Sequence, residues 1–184
     1  MKFIPQYISD IILIEPPVHH DERGHFFETF REDLLEEHLG YKVNFVQDNE
    51  SKSIKGVLRG LHYQLPPNPQ TKLVRVIYGN ILDVAVDIRR SSPHFGQHVA
   101  VILNAENKHQ LFIPPGFAHG FVVLSNEAII SYKVDNYFSK KDDRGIIYND
   151  SDLFIDWLLP ENILKLSSKD KKQPTFSNNK NLFE

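Results

Sequence analysis

Cysteine is absent from this 184-residue chain, so neither disulfides nor thiolate metal centres contribute to its stability or chemistry. Long apolar runs are missing as well. The opening segment MKFIPQYISDIILIEPP is broken by Pro5 and Asp10, which denies it the continuous core of a secretion signal, and no stretch reaches membrane-spanning length. A strong charge of either sign is also lacking: the net charge of −3 gives no global attraction to nucleic acid or to an anionic membrane and leaves only local basic sites for small anions. A cytoplasmic protein with neither nucleic-acid nor membrane partners is the expected class. The hydrophobic content of 41% excludes disorder, and the length suits one domain whose core needs no covalent staple.

Helical periodicity is scarce too. Thr29 and Glu32 have capping-box spacing ahead of EDLLEEHLG, which ends in Gly40 and predicts one short surface helix; a second helical pattern falls at 161–166. The rest reads as short strands separated by turn residues. In KLVRVIYGNILDVAVDIRR the pair Gly79-Asn80 predicts a two-residue hairpin. Beyond it Leu82, Val84, Val86 and Ile88 share one strand face, and Ile81, Asp83, Ala85 and Asp87 share the other. HVAVIL, QLFI, GFVVL and AIISYKV follow at similar spacing. This pattern predicts an all-β barrel or jelly roll with one or two short peripheral helices. A single domain is expected over 1–175, followed by a polar, frayed tail over 176–184.

The stretch LRGLHYQ, 58–64, sets a problem. Strict alternation sends Arg59 and His62 to opposite faces of one strand, yet both are chemistry-bearing residues suited to the mouth of a jelly roll. Gly60 lies between them and is the expected site of a bulge that turns both to one side.

Several further residues are candidates, each with a plainer alternative. His62 suits proton transfer near neutral pH, or is a core histidine satisfied by one hydrogen bond. Pro114, Gly116 and His119 have the P-x-G-x-x-H spacing common in cupins. A metal-binding cupin also needs an H-x-H pair, and here Gln64 stands where the second histidine would be, so no metal is expected. Arg23 and Arg59 are candidate clamps for a diphosphate; Arg23 alone reads as a solvated turn residue, whereas Arg59 stands in an apolar strand, where burial without a partner is costly. Lys72 opens a strand, where it either stabilises a developing oxyanion or is an exposed strand end. Tyr132 is a proton donor or a structural tyrosine. Asp83 and Asp170 are carboxylates suited to orienting an imidazole; Asp83 in a strand needs some partner if buried, and Asp170 alone reads as tail charge. The cluster in FVQDNES reads a base edge or makes an ordinary turn.

Taken together, FVQDNESKS, VLRGLHYQ, KLVRVIYGNILDVAVDIRRSSPHFGQ, IPPGFAHGF and LSSKD resemble the dTDP-4-dehydrorhamnose 3,5-epimerase family, in order and over most of the chain. The resemblance implies a cupin-type jelly roll, a homodimer, a dTDP-sugar substrate and catalysis with neither metal nor organic cofactor. It makes His62 the base, Tyr132 the proton donor and Asp170 the carboxylate paired with the base. Lys72 and His119 become contacts near the sugar. Arg23 and Arg59 become diphosphate contacts, and Glu28, Gln47, Asp48 and Asn49 contacts around the nucleotide. Lys169 is a further substrate contact. The segment FSKKDDRG departs in length from the family pattern, so an acidic contact there falls on Asp142, Asp143 or Arg144, with Asp143 preferred. The implied activity is double epimerisation at C3 and C5 of a 4-keto-6-deoxy sugar. The alternatives are epimerisation at one carbon only, a sugar-binding cupin without catalysis, and a metal-dependent cupin enzyme.

Overall fold

The computed structural model describes residues 1–184. Its strands are β1 (Lys2–Pro5), β2 (Ile12–Glu15), β3 (His19–Asp21), β4 (Gly24–Phe26), β5 (Gln47–Ile54), β6 (Leu58–Gln64), β7 (Lys72–Tyr78), β8 (Asn80–Asp87), β9 (His98–Asn104), β10 (Gln110–Ile113), β11 (Phe117–Val123), β12 (Glu127–Val134) and β13 (Asp143–Gly145), with a single α-helix, α1 (Glu32–Leu39). They form a six-stranded sheet ordered β1-β2-β10-β7-β12-β5, a five-stranded sheet ordered β13-β6-β11-β8-β9, and the small hairpin β3-β4. Two antiparallel sheets packed face to face make the expected jelly roll. No helix is long and apolar enough to cross a membrane.

The core follows from strand alternation. Ile81 and Ala85 of β8 enter the layer between the sheets, where they meet Val74, Val76, Leu111 and Ile130. Leu82, Val84, Val86 and Ile88 point the other way, into a second core beneath the C-terminal segment with Leu153, Trp157 and Leu182. Strand β8 is therefore buried on both faces, which explains its nearly unbroken apolar run. A third cluster places Leu35 of α1 on Ile12, Ile14, Leu73 and Phe112, on the outer side of the six-stranded sheet.

Four expectations are corrected. The Gly79-Asn80 turn does not close a hairpin, because β7 pairs with β10 and β12 while β8 pairs with β9 and β11. Gly79 instead makes the corner at which the chain passes from one sheet to the other. Its φ of +82° suits glycine, and a Cβ there would collide with the carbonyl oxygen of Glu127. The capping box also fails: α1 starts after Arg31 with no side-chain cap, although Gly40 closes it in the left-handed conformation. The pattern at 161–166 yields only a 3-10 turn over Glu161–Ile163. Finally, the tail over 176–184 is packed, not frayed. Asn179 is buried and donates to the Tyr63 hydroxyl at 2.9 Å and the Gly145 carbonyl at 3.1 Å, Leu182 joins the second core, and Phe183 exchanges backbone hydrogen bonds with Ile88 and Arg90. Polar composition hides two apolar anchors, and those anchors decide the outcome.

Candidate active site

The site begins with an irregularity in β6. Against β11, His62 lies opposite His119 and Arg59 opposite Phe121, so Gly60 and Leu61 together face the single residue Gly120. This is the bulge expected at Gly60. The two backbones approach so closely that a Cβ on Gly60 would lie 2.5 Å from the Cα of Gly120, and φ at Gly60 is +134°. The extra residue changes the phase of the strand, and Arg59 and His62 both border one cavity.

That cavity, of about 280 Å³, lies between the sheets. The five-stranded sheet contributes Arg59, His62, His119 and Phe121; the six-stranded sheet contributes Ser51, Lys72 and Tyr132 from the opposite wall. The C-terminal segment closes one side with Ser167, Lys169 and Asp170.

Each ionisable group is set by its surroundings. His62 Nε2 lies 2.6 Å from Asp170 Oδ1, and the imidazole remains about one-third exposed while the carboxylate is buried. Burial pushes the Asp170 carboxyl up, but the hydrogen bond and charge of His62, helped by Ser167 and Lys169, outweigh it and hold the group below its ordinary value. Asp170 opens a 3-10 turn and is itself positioned by its N–H, which donates to Ser167 Oγ at 3.1 Å.

Lys72 is not an exposed strand end: it is buried, and desolvation pushes its ammonium down to about 8 despite the nearby charges of Asp83 and Asp143. Its one protein acceptor is the His62 carbonyl, at 3.4 Å, so two of its three N–H donors are uncommitted beside the cavity. His119 Nε2 lies 3.0 Å from both oxygens of Asp83, which is fully buried. Burial pushes this imidazole down, against the pull of Asp83. The Tyr132 phenol is pushed up by burial, with Arg59 acting in the opposite sense.

Arg59 is exposed, so its guanidinium bears no burial cost. Its Nε and Nη2 both donate to Ser53 Oγ at 3.2 Å, which aims the guanidinium along the cavity rim.

The remaining expected residues lie off the cavity. Asn49 pairs with Tyr132 in register and accepts from Gln47 Nε2 at 2.6 Å, so both share the inner face of β5 next to the cavity. Alternation puts Asp48 on the outer face, where Lys133 Nζ donates to it at 2.9 Å; its side chain therefore points away from the cavity. Asp143 receives the ammonium of Lys169 and joins the site through that pair, whereas Asp142 turns to Asn68 and Ser139. Arg144 donates to the Lys141 and Asp143 carbonyls. Arg23 is highly exposed and tied to Asp21 on the β3-β4 turn, and Glu28 pairs with Arg31. No three His, Asp or Glu side chains converge at metal-binding spacing.

Sequence reasoning missed Ser51, Phe121 and Ser167. Ser51 was within reach, because it shares the inner face of β5 with Asn49 and Ser53. Its Oγ is buried, borders the cavity and has no hydrogen-bond partner in the protein.

The chain matches known proteins along most of its length. The profile of the dTDP-4-dehydrorhamnose 3,5-epimerase family matches residues 5–178. The dTDP-4-dehydrorhamnose 3,5-epimerase of Shigella flexneri is 55% identical over 170 residues, covering 92% of this chain and 93% of its own. The crystal structure of the enzyme of that name from Elizabethkingia anophelis superposes with a TM-score of 0.94 at 49% identity, covering 98% of both chains. A dTDP-6-deoxy-D-glucose-3,5-epimerase from Legionella pneumophila, solved in complex with dTDP-4-keto-L-rhamnose, gives 0.92 at 49% identity, covering 96% of this chain and 93% of that one. With matches of this length and a cavity lined by base, acid and cation candidates, the chain belongs to the dTDP-4-dehydrorhamnose 3,5-epimerase family.

Proposed function

We propose that this protein inverts both C3 and C5 of dTDP-4-keto-6-deoxyglucose, giving dTDP-4-keto-L-rhamnose for rhamnose biosynthesis. The observation that carries the reading is that His62 and Tyr132, from opposing sheets, border one cavity that also holds Lys72. The C4 ketone acidifies the hydrogens on its two neighbouring carbons. His62, oriented by Asp170, takes one of these hydrogens as a proton, and the electron pair of the C–H bond moves into an enolate. The Lys72 ammonium meets the oxygen that gains charge. Tyr132 donates its phenolic proton to the opposite face of the same carbon, which inverts it. The proton held by His62 and the one lost by Tyr132 exchange with water, and the cycle repeats at the second carbon. Arg59 holds the diphosphate so that the sugar sits between base and acid.

Arg23 and Glu28 are part of the reading through a homodimer acting in the cytoplasm. Every residue of β3 and β4 is exposed, and Phe26 is 69% exposed, so the hairpin is available to enter a neighbouring copy's cavity. Mixing His62→Ala with Arg23→Ala subunits tests this. Activity restored above either parent supports shared sites; strictly additive residual activity refutes them.

The reaction is tested by NMR of the product formed in deuterated water. Deuterium at both C3 and C5 is expected, and label at one carbon alone would establish single epimerisation instead. Tyr132→Phe is expected to impair inversion more than hydrogen exchange; equal loss of the two would remove Tyr132 as the acid.

A further inference from the structure

The buried pair His119–Asp83 takes no part in the proton transfers above. We propose that Asp83 is a positioning residue that locks His119 in the neutral Nε2–H tautomer, so that the nitrogen facing the cavity accepts a hydrogen bond from a sugar hydroxyl and does not donate one to the C4 oxygen. This deepens the epimerase reading and rests on it for the identity of the ligand.

The geometry supplies the argument. Asp83, on β8, is fully buried and does not border the cavity, whereas His119, on the neighbouring strand β11, does. Nε2 is equidistant from both carboxylate oxygens, at 3.0 Å. A carboxylate is an acceptor only, so Nε2 must carry the proton. Nδ1 has no hydrogen-bond partner in the protein, and His119 borders the cavity, so Nδ1 is the ring nitrogen free to meet a ligand there. The ring also has reason to stay neutral: burial pushes it down, and the positive charges available to Lys72 and His62 act in the same direction, against Asp83. A neutral ring protonated at Nε2 presents a lone pair at Nδ1.

A lone pair repels an enolate oxygen and attracts a hydroxyl hydrogen. On a 4-keto-6-deoxyhexose joined to dTDP through C1, the donors are the hydroxyls at C2 and C3. The division of labour is then sharp. Lys72, with two uncommitted N–H donors, serves the C4 oxygen alone. His119 reads a hydroxyl and thereby sets which sugars are held with their C3 and C5 hydrogens toward the base.

Nitrogen NMR of protein carrying ¹⁵N-labelled histidine tests the lock without substrate. In the free wild-type protein at neutral pH, His119 is expected to show a protonated Nε2 and an unprotonated Nδ1. Asp83→Asn, whose amide can donate to Nε2, is expected to reverse the two signals. A protonated Nδ1 in the wild type overturns the proposal, and that measurement needs no variant to fold. In turnover, His119→Ala is expected to raise KM by up to about tenfold, the value of one neutral hydrogen bond, with kcat within a fewfold of wild type. A kcat loss as large as that of Lys72→Met overturns the acceptor role. Absence of epimerisation by the wild type would instead sink the functional reading and leave the tautomer result standing.

Discussion

Two imidazole–carboxylate pairs each present an imidazole to the same cavity, and they are built differently. His62 and Asp170 are 108 positions apart, joined by one bond of 2.6 Å between a strand and a turn of the C-terminal segment. His119 and Asp83 sit on adjacent strands of one sheet, with two contacts of 3.0 Å. The side chains of the first pair are 32% and 5% exposed, those of the second 9% and 0%. On the proposed mechanism, the same two functional groups are given different work by solvation and by the rigidity of their supports. An imidazole that gains and loses a proton during turnover needs access to water and a partner that stabilises its charged form. One that stays neutral needs burial and a support that does not move.

The comparison breaks most severely at the exposed pair. His62→Ala is expected to lower kcat by ~10²–10⁴-fold, the usual contribution of a general base. It should also abolish deuterium uptake at both carbons, and uptake at the wild-type rate would show that another group removes the hydrogen. Asp170→Asn leaves the imidazole in place and removes the charge that stabilises its protonated form. A charge-assisted hydrogen bond is worth ~1.5–3 kcal/mol, so kcat should fall about 10–100-fold. Steady-state kinetics that show a change in KM alone would assign Asp170 to substrate binding.

Lys72 lies between the two pairs and yields the next effect. Its ammonium is held down to about 8, so the charge that meets the enolate is lost as pH rises through that value. The free enzyme's groups govern kcat/KM, which should fall about tenfold per pH unit on the alkaline side. In Lys72→Met that limb should disappear along with most of the activity. Stability should move the other way. An unfolded lysine keeps its proton to about 10.4, so between about 8 and 10 the unfolded state binds more protons and Lys72 contributes stability that grows with pH. A fall in thermal midpoint that tracks the loss of kcat/KM across this window would mean that unfolding, not titration, ends catalysis.

Much of this was legible in the chain. The jelly roll follows from strand spacing, and the two-faced burial of β8 from its alternation. The bulge follows from a glycine set between two residues of opposite phase. Long-range choices were not legible. Gly79-Asn80 carries hairpin chemistry, yet competition for partners sends β7 and β8 to different sheets. Lys72 has the look of a strand end, and only closure of the barrel buries it. Asp48 sits within a cluster of candidate contacts, and alternation along β5 turns it outward while Asn49 and the unmentioned Ser51 turn inward. Asp170 was found by resemblance, since nothing local in LSSKD distinguishes it from any tail carboxylate.

The smallest expected effect separates the pairs by their supports. A chain ending at Phe176 loses Asn179, which ties the Tyr63 hydroxyl to the Gly145 carbonyl, and Leu182, which is 7% exposed. Gly145 stands opposite His62 in the β13-β6 register, and Asp143 of the same strand holds Lys169, the neighbour of Asp170. The tail thus steadies the first pair from behind, and it meets β8 and β11 on the face away from Asp83 and His119, where Leu182 shares a core with Leu82, Val84, Ala118 and Val122. Uncovering one leucine-sized side chain removes ~1.5–3 kcal/mol, which for a chain of this size lowers Tm by roughly 3–12 °C. At a temperature where the truncated protein remains folded, kcat should fall by a fewfold, because His62 and Asp170 lose part of their alignment, while the ¹⁵N signals of His119 stay where they are. If the His119 signals shift and kcat does not, the rigidity of the inner pair depends on the tail and the contrast between the two supports is wrong.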